Sequence, residues 1–426
     1  LTNKTHPADL AIVFRHFSDE EQIEIFSLMK ESEHTAEFLS ELDDALVNEL
    51  LENESYERIA AIIEKAPTND QSGILNILDD EKAKSIIELL NVEEQEEIAE
   101  IMGYPDDSAG ALMNTEVFTL HESITAGEAI KTLQDQEGAE MVFYLYITDD
   151  DDRLVGIISL RALTTTSSNT TLKDIMIKNV HSIRPETDQE EVARIVAQYN
   201  FLAVPVLDSD SKLLGIVTVD DVVDVIREEA TEDFLQMVGA GKDREILLKS
   251  SWENARSRLP WLFASWIGGI LAAFIIGFFD GILEKSIALA AFIPVIIGMG
   301  GNVGTQSSTL IVRGLATGRV NIENSFKVLF KEIRVGLILG ILYGILLGVF
   351  AAIRFIDMPP TLGIVVGSSI CLSMLIAATI GSVVPIILDR FDVDPAIATG
   401  PFVTTAIDIL GVALYFIIAG TLLTSI

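Results

Sequence analysis

Five apolar runs, beginning near Trp261, Ser286, Val335, Leu362 and Phe402, dominate the second part of this 426-residue chain and constrain its fold more than any other feature. Each is long enough to cross the roughly 30 Å hydrocarbon core of a bilayer as a helix. Backbone in lipid must satisfy its own N–H and C=O groups, so runs of this length fold as helices. An odd number of spans puts the two ends of the chain on opposite sides of the membrane. Arg256 and Arg258 precede the first run, and Arg313, Arg319, Lys327, Lys331 and Arg334 fill the connection between the second and third. The connections after the first and third carry only Lys285 and Arg354. The positive-inside rule therefore places everything before the spans in the cytoplasm and the last residues outside a plasma or inner membrane.

Charge is segregated in the same way. Residues 251–426 hold ten acids and ten Lys or Arg, so the 1–250 part, with 54 acids and 19 bases, carries the whole net charge of −35. Such a field repels nucleic acid and anionic headgroups and concentrates cations. Most of these carboxylates read as a solvated surface. Cys371 is the only cysteine, which excludes an intramolecular disulfide and a cysteine metal site, and a reducing compartment fits. The five histidines, His6, His16, His34, His121 and His181, lack metal-ligand spacing. The chain opens at Leu1 without Met, which suggests a removed start, and no signal peptide is visible.

Residues 1–108 read as short amphipathic helices separated by polar turns, which predicts an α-helical superhelix. From 109 to 228 short strands alternate with helices, and the segment repeats itself. Leu112-Met113 corresponds to Ile175-Met176 and Gly156 to Gly215, a tandem α/β module with roughly 60 residues per copy. Residues 229–258 form a linking helical segment, broken at Gly239 and Gly241, that leads into a polytopic α-helical domain over 259–426. The fold class is thus a multidomain membrane protein.

Two spans carry polar residues that a lipid-facing helix does not need. In the second, "GMGGNVGTQSSTLIVRG", Gly298, Gly300, Gly301 and Gly304 are expected to loosen the helix, and Asn302, Gln306 and Thr309 share one face. Close helix packing is the plainer use of such glycines. In the fifth, Asp408 is the only charge between Ala396 and Ile426, at a cost of roughly 2.5–3.5 kcal/mol or more at mid-bilayer. Thr404, Asp408, Gly411 and Tyr415 lie at helical spacing and predict one stripe. Either Arg313 or Arg390 pairs with the carboxylate, or a cation in a watery path does. Carboxylate and amide oxygens suit a hard divalent ion such as Mg²⁺, which sheds its water reluctantly, and Mn²⁺ or Co²⁺ would accept similar ligands.

The repeat resembles a pair of CBS motifs, a module that in that family often binds adenine nucleotides. Its ribose-binding signature is present as Thr218 and Asp221, with Val180 and Pro205 as further cofactor-binding positions, whereas the first copy has Ser159 but Ala162 in place of the acid. "GMGGNVGTQSSTLIVRGLATG", "KEIRVGLILG", "FDVDPAI" and "PFVTTAIDILG" resemble the membrane signature of the MgtE family of magnesium channels, and the domain order is that family's too. The resemblance implies a homodimer with five helices per subunit, a pore on the two-fold axis, a linking helix that plugs it, and Asp408 as the ion-binding carboxylate. It places Asn302 and the backbone of Gly298, Gly301 and Thr404 nearby, and Asp394 at the inner mouth. It also implies cytoplasmic magnesium sensing, for which Asp106, Asp107, Asp220, Asp224, Glu229, Asp233 and Asp243 are the candidate metal ligands, with ATP a candidate modulator. Like charges on these domains repel and bound Mg²⁺ bridges them, so high internal Mg²⁺ is expected to compact the domains and shut the pore. A coupled transporter of Mg²⁺ or another divalent ion, and a membrane sensor of nucleotides, are the alternatives. No nucleophile, base and cavity set suggests an enzyme.

Overall fold

The computed structural model describes residues 5–30, 32–52, 54–135, 144–240, 250–321, 324–391 and 393–423, the side chains of 398 and 399 excepted. Two compact units result, Leu1–Glu228 and Glu229–Ile426.

The first unit opens with eight helices among the described residues: α1 (Pro7–Phe14), α2 (Asp19–Ser27), α3 (Glu33–Ser40), α4 (Asp44–Glu52), α5 (Tyr56–Ile63), α6 (Thr68–Ile77), α7 (Asp80–Ile87) and α8 (Val92–Ile101). Each is too short to be stable alone. Helix α1 packs on α3, α2 on α4, and so on to α6 on α8, so every apolar face is covered by the helix two places along. Phe14, Phe26, Phe38, Leu50, Ile62, Leu75 and Ile98 line the resulting core. Burying each contributes about 1.5–3 kcal/mol. Caps set the helix starts: Ser18 and Glu21 form a capping box on α2, and the side chains of Ser55 and Asn91 accept from Arg58 N and Glu94 N.

The repeated module follows, as α9 (Ala109–Leu112), β1 (Thr119–His121), α10 (Ala126–Asp135), β2 (Tyr144–Thr148), β3 (Leu154–Ser159) and α11 (Leu160–Thr165), then α12 (Leu172–Ile175), α13 (Gln189–Tyr199), β4 (Ala203–Leu207) and β5 (Leu213–Thr218). Strand β2 pairs with β1 in parallel and with β3 antiparallel, and β4 pairs antiparallel with β5. The copies exchange their leading segments. Asn114 bridges to Ile216 of the second copy, and Ile177 bridges to Ile157 of the first. This explains the matched glycines, because a Cβ on Gly215 would fall 3.0 Å from Met113 Cγ and one on Gly156 2.7 Å from Met176 Sδ. Each methionine lies over the other copy's strand, so neither copy completes its core alone. Helix α14 (Val219–Met237) leaves β5 directly and runs unbroken past residue 229. The linking helix thus begins inside the second repeat, and it ends just before Gly239, whose φ of +72° suits a residue without Cβ.

In the second unit α15 (Ser251–Phe278), α16 (Asp280–Lys285) and a 3₁₀ turn (Ile287–Phe292) precede α17 (Ile293–Ala316), α18 (Ser325–Arg354), α19 (Thr361–Arg390), a second 3₁₀ turn (Pro395–Thr399) and α20 (Pro401–Leu423). Among the described residues five segments, carrying α15, α17, α18, α19 and α20, are long and apolar enough to cross a membrane. Helices α18 and α19 meet through glycine. A Cβ on Gly340, Gly344 or Gly348 would lie 2.6–2.7 Å from the carbonyl oxygens of Cys371, Gly367 and Gly363 in turn, which makes the pair antiparallel and backbone to backbone. Tyr415 anchors α20 by donating its hydroxyl proton to the Leu289 carbonyl at 2.8 Å.

Candidate functional site

Helix α17 is where sequence and structure differ most usefully. The four glycines do not loosen it, since it is helical from Ile293 to Ala316 without a break. Its carbonyls between 298 and 304 therefore serve the helix first. The glycines divide instead by face. A Cβ on Gly304 would sit 2.1 Å from Ile407 Cδ1, one on Gly300 2.9 Å from Ile407 Cγ2, and one on Gly381 of α19 2.3 Å from the Gly304 carbonyl oxygen, so this face seats α19 and α20. Gly298 and Gly301 have nothing within 4 Å of a built Cβ. They stand on the other face with Asn302, Gln306 and Thr309, all three exposed. That face is the polar stripe the spacing predicted.

On α20, Val403 and Ile407 are buried in the seam with α17 and α19, while Thr404 and Asp408 are half-buried beside it. The expected four-residue stripe does not continue. Gly411 packs near Ser373, and Tyr415 is fully buried with its hydroxyl engaged, so the further half of that face belongs to the bundle core. A polar residue at helical spacing marks a face only until a neighbouring helix covers it. Thr404 returns its own hydroxyl proton to the Gly400 carbonyl at 3.2 Å, leaving its oxygen free to accept from a water or ligand.

Sequence reasoning passed over Glu332. It is buried in α18 and accepts a hydrogen bond from Ser307 of α17 at 3.0 Å, fixing the side of α17 away from the polar stripe. The signal was a lone acid in "KEIRVG", hidden among flanking Lys and Arg.

Before α20, Asp394 caps the second 3₁₀ turn, its carboxylate accepting from Ala396 N at 2.8 Å. Asp233, on the last turns of α14, is pushed up to about 6, chiefly by burial, then by the charges of Asp394 and Glu229 and, more weakly, Glu232, against the opposing pull of Arg313. The Asp233 carboxylate of α14 thus stands within electrostatic reach of Asp394, in the turn that leads into α20.

A second acidic group lies in the first unit. Asp221 is pushed up to about 6 by burial and by Asp220 and Asp70, although the Thr218 hydroxyl donates to it. Asn69 of α6 donates to the other Asp221 oxygen at 3.0 Å. Asp70, which accepts from Ser40 Oγ at 2.8 Å, is raised by burial and by Asp220, Asp224 and Glu37. Asp70 escaped the sequence reading because nothing local marks it, and its partners lie some 150 positions further on. The predicted ribose pair Thr218 and Asp221 is therefore engaged within the chain. Val180 is half-buried in the segment between α12 and α13, and Pro205 lies in β4 opposite Ile216. Asp106 and Asp107 are exposed in the turn before α9, where Asp107 is tied to Gln189 of α13, its carbonyl accepting from Gln189 N at 3.0 Å. Asp243 falls outside the described residues.

Among the described residues no three His, Cys, Asp or Glu side chains converge closely enough to hold a bare metal ion. Pairs of carboxylates with exposed amides and hydroxyls suit a cation that keeps its water shell.

Five apolar helices, an acid within one of them and a polar face left exposed on another define a polytopic membrane protein. A family model described as a divalent cation transporter matches residues 293–418, the MgtE intracellular N domain matches 5–107, and the CBS domain matches 109–168 and 172–228. The chain belongs to the MgtE family. The magnesium transporter MgtE of Bacillus subtilis (strain 168) is 32% identical over 425 residues, covering 100% of this chain and 93% of that protein. Its counterpart in Thermus thermophilus is 36% identical over 80% of this chain and 75% of that protein. Among solved structures, the cytosolic domain of the Mg²⁺ channel MgtE in complex with ATP covers 53% of this chain and 92% of its own, with 33% identity and a TM-score of 0.50.

Proposed function

We propose that this protein is a Mg²⁺ channel that works as a homodimer, takes up Mg²⁺ across the plasma membrane, and closes when internal Mg²⁺ binds its acidic domains. The observation that carries the reading is the uncovered stripe of Gly298, Asn302, Gln306 and Thr309 on α17, in a bundle whose helix α20 holds the half-buried Asp408. Polar groups left against lipid cost several kcal/mol each, so a second copy and a water-filled path must cover them. Two Asp408 carboxylates across a two-fold axis then hold one hydrated divalent ion, aided by Asn302, Thr404 and second-lone-pair contacts from the Gly298 and Gly301 carbonyls. Asp394 collects ions at the inner mouth. The acidic half faces the cytoplasm and the end of α20 faces outside.

Gating follows from the two raised carboxylate groups. Asp233 with Asp394 and Glu229, and Asp221 with Asp70, Asp220 and Asp224, are like charges held together at a cost that a divalent ion removes. Asp106, Asp107 and Asp243 are further candidate ligands for the regulatory ion. Adenine nucleotide binding near Val180, Pro205, Thr218 and Asp221 is a further regulatory input, suggested by the ATP in the related cytosolic domain. It requires Asp221 to give up Asn69.

Proteoliposomes separate a channel from a coupled transporter. Mg²⁺ uptake driven only by a Mg²⁺ gradient and membrane potential, unchanged when Na⁺ and pH gradients are collapsed, supports the channel. Uptake that stops with either gradient assigns coupled transport.

A further inference from the structure

We propose that Trp261 is a positioning residue that passes the state of the α14 end to the pore helix α20, and so ties internal ion binding to conduction. The inference rests on the gated-channel reading. Trp261 follows Pro260 inside α15. Proline has no N–H to donate, so α15 lacks one rung there and bends at lower cost. The indole fills a slot between two backbone segments. On one side is Gly239, just past α14, where a Cβ would lie 3.4 Å from Trp261 Cβ and Cγ. On the other is Gly400, just before α20, where a Cβ would lie 3.3 Å from Cζ3 and 3.4 Å from Cε3. Phe402, in the first turn of α20, meets the ring edge-on at 6.4 Å between centroids and 86° between planes.

Neighbouring contacts make the slot a joint. One turn before the indole, the Ser257 hydroxyl is 3.3 Å from the Ala240 carbonyl, which ties α15 to the end of α14. Two turns after it, Gly268 receives Thr405, whose Cγ2 would be 2.2 Å from an added Cβ, which ties α15 to α20. Asp408 is the next turn of α20. Movement of Gly239 and Ala240 therefore presses the indole against Gly400 and carries Thr404 and Asp408 with it. Asp233 stands on α14 less than two turns before Gly239, so the acids that face Asp394 act on the same contact. A tryptophan that merely anchors a span at the headgroups would be open to lipid, as Trp252 and Trp266 are at 72% and 60% exposure. Trp261 is half-buried between two glycines.

The test is current through inside-out patches of the full-length protein while cytoplasmic Mg²⁺ is varied. The parent must first close with rising Mg²⁺. A parent that never closes rejects the gating reading, and this proposal with it, before any variant is examined. Given closure, Trp261→Ala is expected to keep its unitary conductance and to need about tenfold more Mg²⁺ to close, the scale of ordinary allosteric coupling. Trp261→Phe restores most of the sensitivity. Equal Mg²⁺ sensitivity in parent and Trp261→Ala overturns the proposal. Should Trp261→Ala fail to fold, the Trp252→Phe/Trp266→Phe protein leaves Trp261 as the sole tryptophan, excited selectively at its red edge. Its emission is expected to shift over the Mg²⁺ range that closes the channel, and emission that stays constant through closure overturns the proposal.

Discussion

Glycine has opposite consequences at positions a few residues apart on α17. Gly298 has open space where its Cβ would be, whereas Gly304 and Gly381 are in backbone contact with neighbouring helices. Gly381→Ala is therefore expected to destabilise the membrane unit by about 1–3 kcal/mol, as overpacking does. Gly298→Ala should leave unfolding unchanged while altering Mg²⁺ flux, because its methyl group enters the ion path. Thermal unfolding in detergent alongside liposome flux checks both, and equal destabilisation by the two substitutions contradicts the division of faces. The face itself was legible in the sequence, because 302, 306 and 309 recur at helical spacing. Which glycines open the face and which close the core was not, since that depends on Ile407 and Gly381, side chains on other helices.

Elements carry the coupling. Helix α14 begins at Val219, and its Val222 and Val225 belong to the core of the second repeat, so the linking segment over 229–258 opens as the continuation of that helix. The end of that helix brings Asp233 to Asp394. Asp233→Asn is expected to raise the internal Mg²⁺ needed for closure by about five- to tenfold. Adding Asp394→Asn should cost less than the sum, because the two carboxylates share one ion. Mg²⁺ dose-response curves for the single and double variants decide it, and full additivity counts against a shared site. Asp394 was legible through its resemblance to a family position, and Asp233 through the run of acids that closes the second repeat. Nothing in the sequence warned of Asp70, whose approach to Asp220 and Asp221 arises only when the superhelix closes onto the repeat.

At the scale of the whole molecule the account joins an acidic sensor to a membrane path, and it implies a pH dependence. Asp221 and Asp233, near 6 in the compact arrangement, take up protons there that a free carboxylate near 3.9 would not bind until lower pH. Proton binding therefore favours compaction as pH falls through about 6, and the cost returns in full as pH rises above it. In chelator the protein is expected to resist protease better at pH 5 than at pH 7.5, and millimolar Mg²⁺ should abolish the difference; better resistance at pH 7.5 without Mg²⁺ reverses the predicted sign. The order of domains and the five spans were readable from periodicity and charge, because they are properties of long stretches. The joint at Trp261 was not, because it depends on Gly400, which lies 139 positions beyond the tryptophan (400 − 261) and meets it only when the helices pack. The central claim is that ions pass Asp408, and single-channel recording with Mg²⁺ as the only permeant cation tests it most directly. Parent channels are predicted to carry Mg²⁺ current that Asp408→Ala abolishes while the protein still folds and inserts; undiminished current in Asp408→Ala would contradict the account.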